Sequence, residues 1–258
     1  MRTLSCLGLA ALLTACSTPR FDVTPRWGTF DIDGDLGIAS GGVTAKADLN
    51  TAGLQQDDSV LGARVDFDWG PSHLMVSGQQ SEHGGDGTLD ATLSSGGITI
   101  GATTPVASEL DLGLYSAAYT FDFVPSDLIE VGLGVGVSYL DVKARFTDST
   151  DPTQTIDADE SLPVPVLAAR LGTRIWRIDA SLQAQGIAVE LDGDEILFVD
   201  LDLMAKLHLL GGADHLGGHL TAGYRWVDLE LEYENDDGEQ VDGDATFSGP
   251  YIGLTLSI

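Results

Sequence analysis

Carboxylates dominate the residues that could do chemistry. Asp31-Ile32-Asp33-Gly34-Asp35 sets three acids at alternate positions, while Asp192-Gly193-Asp194-Glu195 and Asp236-Asp237-Gly238-Glu239 crowd more acids into short runs. Hard oxygen donors of this kind bind Ca²⁺ or Mg²⁺. A helix-flanked calcium loop needs a bidentate Glu at its twelfth position, where a count from Asp31 finds Gly42, so the first run reads as an acidic strand. The other two read as solvated loop acids with at most weak affinity for divalent cations. His73, His83, His208, His215 and His219 show no metal-ligand spacing and read as turn residues. Ser77 and His73 share a strand face, but four strand residues separate them by ~13 Å, too far for proton transfer. No catalytic set, metal site or cofactor is expected.

Cys16 offers a different chemistry. Met1-Arg2 supplies a positive charge and Leu4 to Leu13 is mostly apolar. That run is well short of the ~18–20 residues a membrane helix needs, so it reads as a secretory signal. Leu13-Thr14-Ala15-Cys16 resembles the lipobox of bacterial lipoproteins. The resemblance implies cleavage before Cys16 and lipid attachment to its thiol, and Ser17 in place of Asp favours the outer membrane. Cys6 leaves with the signal, so no intramolecular disulfide can form. The expected organisation is a signal over 1–15, a lipidated N-terminus and short tether over 16–28, and one β-domain over 29–258.

These groups must be positioned by strands. With 40 Asp+Glu against 12 Lys+Arg and a net charge of -28, the chain lacks the clustered bases that bind phosphate backbones, which excludes nucleic-acid partners. A hydrophobic fraction of 43% argues against disorder. Two-residue alternation recurs along most of the chain: Leu197, Val199, Leu201, Leu203, Ala205, Leu207 and Leu209 oppose Phe198, Asp200, Asp202, Met204, Lys206 and His208. The pattern predicts an all-β antiparallel protein of about twelve strands, near 29–40, 60–69, 72–81, 87–94, 97–103, 108–123, 127–147, 162–174, 177–190, 196–209, 217–234 and 244–258; ten or eight are the other even counts considered. Short turns poor in acid alternate with longer acidic loops, as expected of strands that shuttle across a membrane. Two strands change phase, at Tyr139/Leu140 and near Trp226, which marks either a β-bulge or the point where a strand leaves lipid.

Alternation alone fits a soluble barrel as well as a membrane one. The polar faces carry many small residues, such as Gly132, Gly134 and Gly136, and Tyr119, Phe121, Phe123, Tyr139, Tyr224, Trp226 and Tyr233 fall near strand ends, where aromatic girdles meet headgroups. Both favour lipid outside. The lumen is then expected to be lined by Asp31, Asp33, Asp35, Arg64, Asp66, Asp68, Glu130, Asp179, Asp200, Asp202, Lys206, Glu230 and Glu232, and residues 41–59 are placed to occlude it. The last strand, Tyr251-Ile252-Gly253-Leu254-Thr255-Leu256-Ser257-Ile258, resembles the C-terminal assembly signal of bacterial outer-membrane β-barrel proteins, with Tyr251 in the polar slot and Gly253, Leu256 and Ile258 in the matching places. The resemblance implies a porin-like or OmpA-type transmembrane barrel, whose partners are outer-membrane lipids and the barrel-insertion machinery; counted from a periplasmic N-terminus, the alternation of short and acidic connections puts both termini in the periplasm and the acidic loops outside.

The expected function is an outer-membrane lipoprotein with a structural or surface role or a narrow cation-preferring pore. Two other readings stay open: a lipid-modifying enzyme, which needs Ser and His together at the lipid boundary, and a soluble periplasmic lipocalin-like carrier of an apolar ligand.

Overall fold

Alternation is realised as strands from Arg20 to Ser257 in the computed structural model, which describes residues 19–40, 46–54, 58–95, 97–124, 128–191, 194–210, 216–234 and 239–258. Ten long strands form the wall: β1 (Arg20–Ser40), β2 (Asp58–Trp69), β3 (Ser72–Thr88), β4 (Pro105–Asp122), β5 (Ile129–Asp148), β6 (Thr155–Ile175), β7 (Ile178–Leu191), β8 (Asp194–Leu210), β9 (Gly217–Glu234) and β10 (Glu239–Ser257). Each pairs antiparallel with the next, and β10 returns to β1, closing a barrel that leaves no outer strand without a neighbour. Both ends of the described chain lie at one rim, where Phe21 and Ile258 exchange backbone hydrogen bonds. The β2–β3 turn, also at this terminal rim, is tight because Gly70 takes a left-handed φ of 62°.

The count is ten rather than twelve. The segments expected as strands near 87–94 and 97–103 alternate because they fold inward: Leu93–Ser95 and Ile98–Ile100 form a small separate hairpin whose Leu93 and Ile100 are buried. The expected tether ends early, since β1 begins at Arg20 and residues 20–28 already belong to the wall. A further two-residue strand, Ala47–Asp48, pairs with β1. Cys16, the signal, His215 and parts of the acidic runs at 192–195 and 236–239 lie outside the described residues.

Neither phase change is a bulge. The β5–β6 register runs unbroken through Tyr139–Pro163 and Leu140–Leu162, and the β9–β10 register through Trp226–Ser248 and Val227–Phe247. Inward and outward positions keep alternating; what changes is which chemistry each face carries. In the half of the barrel nearest the termini, the outer face carries Leu61, Leu133, Val135, Leu167, Leu203, Leu254 and Leu256, all exposed, while the inner face is polar. In the loop-side half the inner face becomes apolar, with Phe30, Ile32, Leu110, Phe146, Phe198 and Phe247 buried, and the outer face becomes acidic. Trp27, Tyr115, Tyr139 and Tyr224 stand exposed near the border.

Segment 46–54 folds into the loop-side interior, burying Ala47, Leu49, Ala52 and Leu54 in the same apolar cluster as Leu89, Leu93 and Ile100. It also patches a short wall. β2 begins only at Asp58, leaving the end of β3 without it, and there Thr88 N donates to Thr51 O at 2.8 Å.

Candidate functional site in the lumen

Alternate residues of β1, β2, β8, β9 and β10 aim charged and hydroxyl groups at the barrel axis, and buried charges persist only when paired and hydrogen-bonded. Arg64 grips Asp66 through Nε and Nη2 and donates through Nη1 to Asp202 Oδ2 at 3.2 Å. Arg26 reaches the same oxygen at 2.8 Å, and Tyr251 donates its hydroxyl to Asp202 Oδ1 at 2.5 Å. Arg26 also lies 4.9 Å from the centre of the Tyr251 ring. Arg225 holds Asp200 with two bonds and donates to Gln79 Oε1 at 2.6 Å. The bonds from Arg64 and Arg26 to Asp202 and from Arg225 to Gln79 join strands that are far apart around the wall and act as struts across the lumen, while Arg225–Asp200 ties the neighbouring strands β9 and β8.

The tyrosine needs a gap in the opposing side chains. A Cβ added at Gly223 would stand 2.3 Å from the Tyr251 ring, so glycine there leaves the ring room to lie across β9 toward Asp202. Nearer the terminal rim lies a second tier. Lys206 binds Asp22 at 2.9 Å, Arg170 binds Asp122 and Glu130 at 2.9 and 2.5 Å, and Arg174 and His208 both meet Asp179. His73 sits between Asp66 and Asp68. A cavity of about 70 Å³ lies among Asp22, Arg64, Asp68, His73, Arg170 and Lys206. It has room for a handful of waters.

Arg64, Asp66, Asp68, Glu130, Asp179, Asp200, Asp202 and Lys206 are thus brought together inside the terminal half. Asp31, Asp33, Glu230 and Glu232 are not: they are exposed on the outer face of the loop-side half, and Asp35 shares that face through its register with Asp244. Charge turns outward there, the reverse of the terminal half. Beside Asp35, partial burial and then Asp244, Asp48 and Asp90 push its carboxyl above the usual range. Lys143 and Arg145, between the acids of β4 and β6, supply the only bases on the outer face of the described loop-side strands; Arg145 meets Asp157 at 2.6 Å.

The histidines expected in turns are strand residues. His73, His83, His208 and His219 are buried and face the lumen; carboxylates meet His73 and His208 and a hydroxyl meets His219, in a pattern that their spacing could not reveal. His219 Nε2 pairs with Ser257 Oγ at 2.8 Å, a serine–histidine contact between the neighbouring strands β9 and β10. It lies inside the barrel, away from lipid, and His219 Nδ1 meets no acceptor that would orient the ring as a base. Among the described residues no cluster of three or more His, Cys, Asp or Glu could hold a metal ion.

No family model matches the chain, and no curated protein does. Among solved structures, the outer membrane protease OmpT from Escherichia coli superposes with a TM-score of 0.57 at 8% identity, covering 95% of this chain and 100% of that one. The outer membrane protein OprG from Pseudomonas aeruginosa gives 0.42 at 12% identity, with 95% and 98% covered. The first likeness shows the fold: this chain is built as a bacterial outer-membrane β-barrel.

Proposed function

We propose that the protein is an outer-membrane lipoprotein with a structural or surface role, inserted by its terminal half and projecting its loop-side half beyond the bilayer. The observation that carries this reading is the exchange of the two faces at a common level of the wall. On β5 the apolar outer positions run from Ile129 to Tyr139. At ~3.3 Å per residue and ~40° of tilt, that stretch spans about 25 Å, the height of the apolar band of such barrels. Beyond it the same face carries Lys143 and Arg145, which belong in water. The terminal rim then faces the periplasm, where a lipid on Cys16 would anchor the start of β1, and the acidic loops face outward. Tyr251 points inward while Leu256 and Ile258 point outward, an arrangement that suits recognition of the last strand by the insertion machinery.

The interior favours a surface role over a pore. An ion moving along the axis would have to displace the Arg64–Asp202–Arg26 and Arg225–Gln79 struts and then cross the apolar cluster around Phe198 and Leu54. A soluble carrier is disfavoured because Leu133, Leu167 and Leu254 would stand in water. Membrane fractionation with heat-modifiable gel migration tests insertion: a mature, unlipidated chain soluble without detergent would overturn it. Planar-bilayer recordings test closure, with no stepwise conductance expected from wild type.

A further inference from the structure

Besides the stretch beside β3 that segment 46–54 patches, the described wall is incomplete at one more place. β6 and β7 pair from Ile175–Ile178 up to Leu167–Gly186 and no further, although β6 continues to Thr155 and β7 to Leu191. Their other flanks are complete: β6 pairs with β5 from Thr173 to Thr155, and β7 with β8 up to Leu191–Asp194. Pro163 and Pro165 stand just beyond the last pair. Two prolines two residues apart withdraw N–H donors from one flank of a strand, and the unbroken β5 ladder places the loss on the β7 side. The seam between β1 and β10 also contains Pro25 and Pro250, but pairing resumes beyond each.

The opening lies at the upper edge of the outer apolar band. Leu167 is exposed at its foot, and Pro163, level with Tyr139 of the aromatic girdle, stands four residues above. Behind it the lumen is lined by Val164, Val166 and Phe198, all buried, with Ile187 half-buried against them. In the lumen below it are two amides with orphaned atoms, Gln185 one residue and Gln183 three residues beneath the last pair. Gln183 is 2% exposed and neither its Nε2 nor its Oε1 has a partner; Gln185 is 4% exposed and its Oε1 is likewise unpartnered. Buried amides are almost always satisfied, and unpaired strand edges at bilayer depth need a polar partner. Apolar walls above unused amide and backbone groups describe a site for a molecule with one end of each kind.

We propose that the β6–β7 opening is a lateral binding site for a single-chain amphiphile with a carboxylic head, taken from the surrounding leaflet. The chain lies against Val164, Val166 and Ile187, and the head meets Gln183, Gln185 and the free backbone edges. Val164, Val166 and Phe198 are already almost fully covered, so a slender single chain is the occupant proposed. The inference rests on the membrane placement proposed above, and extends it: the barrel is closed along its axis and open through its side.

The test uses full-length protein carrying Ile187→Trp in phosphatidylcholine vesicles, titrated with 9,10-dibromostearate, a chain-brominated quencher. Fluorescence is taken as the difference from protein without the substitution, and heat-modifiable migration confirms insertion in every sample. Saturable quenching is expected. Adding Pro163→Thr and Pro165→Thr, which restore two N–H donors and extend the ladder, should abolish it. Gln183→Leu with Gln185→Leu should weaken it by about fivefold to tenfold, the effect of one or two hydrogen bonds. Absence of saturable quenching in inserted protein overturns the site, as does quenching indifferent to both pairs of substitutions. Equal quenching by dibrominated phosphatidylcholine overturns the single-chain occupant. Failure to insert would instead sink the membrane placement.

Discussion

The terminal and loop-side halves of this barrel are one continuous wall built on opposite plans. In the terminal half, Arg225, Asp200, Arg64 and Asp202 are inside and Leu133 and Leu254 outside; in the other, Phe198 and Phe247 are inside and Glu230 and Asp157 outside. The backbone does not change between them, because the same strands and registers pass through both. The difference shows that facing is set by the pleat, while the chemistry at each position is set by whatever bathes that height of the wall.

The two interiors should fail differently. In the terminal half, Arg225→Ala leaves Asp200 buried without its partner, which costs about 3–5 kcal/mol, whereas Arg225→Met together with Asp200→Leu should recover most of that loss. In the loop-side half, Phe198→Ala should cost about 3–5 kcal/mol through lost burial and a cavity, with no charge partner whose removal restores it. Urea titration of the folded gel band in vesicles reads both. Failure of the double variant to recover would mean the two charges do not stabilise the wall as a pair.

The outer faces give the next contrast. Leu133→Arg, at the middle of the apolar stretch on β5, should cost about 2–4 kcal/mol in vesicles, while Ser161→Arg, exposed on β6 beyond the girdle, should stay within about 0.5 kcal/mol of wild type. Equal effects would erase the proposed boundary. A smaller loss is expected from Gly223→Ala. The new methyl displaces the Tyr251 ring from Asp202, an overpacking cost of about 1–3 kcal/mol, and Tyr251→Phe in the same background should add little because the bond is already gone.

This division explains what the sequence could and could not tell. The alternation that located most of the ten long strands is a property of the pleat, so it survives whichever solvent lies outside. The lumen assignment of Arg64, Asp66, Asp200 and Asp202 followed from apolar neighbours that stand on the outer face. The same logic misplaced Asp31, Asp33, Glu230 and Glu232 by assuming a single surrounding medium along the whole strand. The correcting signal was present in the phase changes at Leu140 and Val227, where apolar residues move to the other face without a bulge. The inserted hairpin was taken for two strands because Leu93 and Ile100 alternate toward a core that happens to be the lumen. The unfinished β6–β7 ladder left only Pro163 and Pro165 as a trace, the strut contacts join strands whose proximity only barrel closure creates, and the serine–histidine contact depends on the β9–β10 register.

The smallest effects belong to the loop side, where two acids should respond to pH with opposite signs. Asp148 Oδ1 accepts from Thr150 N at 2.7 Å, Thr150 Oγ1 at 2.7 Å and Asp151 N at 3.2 Å, closing the β5–β6 turn, and these donors hold its carboxyl below the usual range. Such a group supports the native turn above its unfolded pKa, and the support is lost as pH falls through the lower folded value. Asp35, pushed up by partial burial and by Asp244, Asp48 and Asp90, runs the other way: its ionisation is disfavoured in the folded protein, so acidification through its folded value relieves the wall rather than loosening it. Amide hydrogen exchange across the acid range should therefore show Thr150 and Asp151 losing protection as pH drops, after correction for the intrinsic rate. Asp148→Asn should flatten that dependence, and Asp35→Asn should remove the opposing response at the β1–β10 seam. Protection at both sites falling together would mean that the collar responds to its total charge and not to these local contacts.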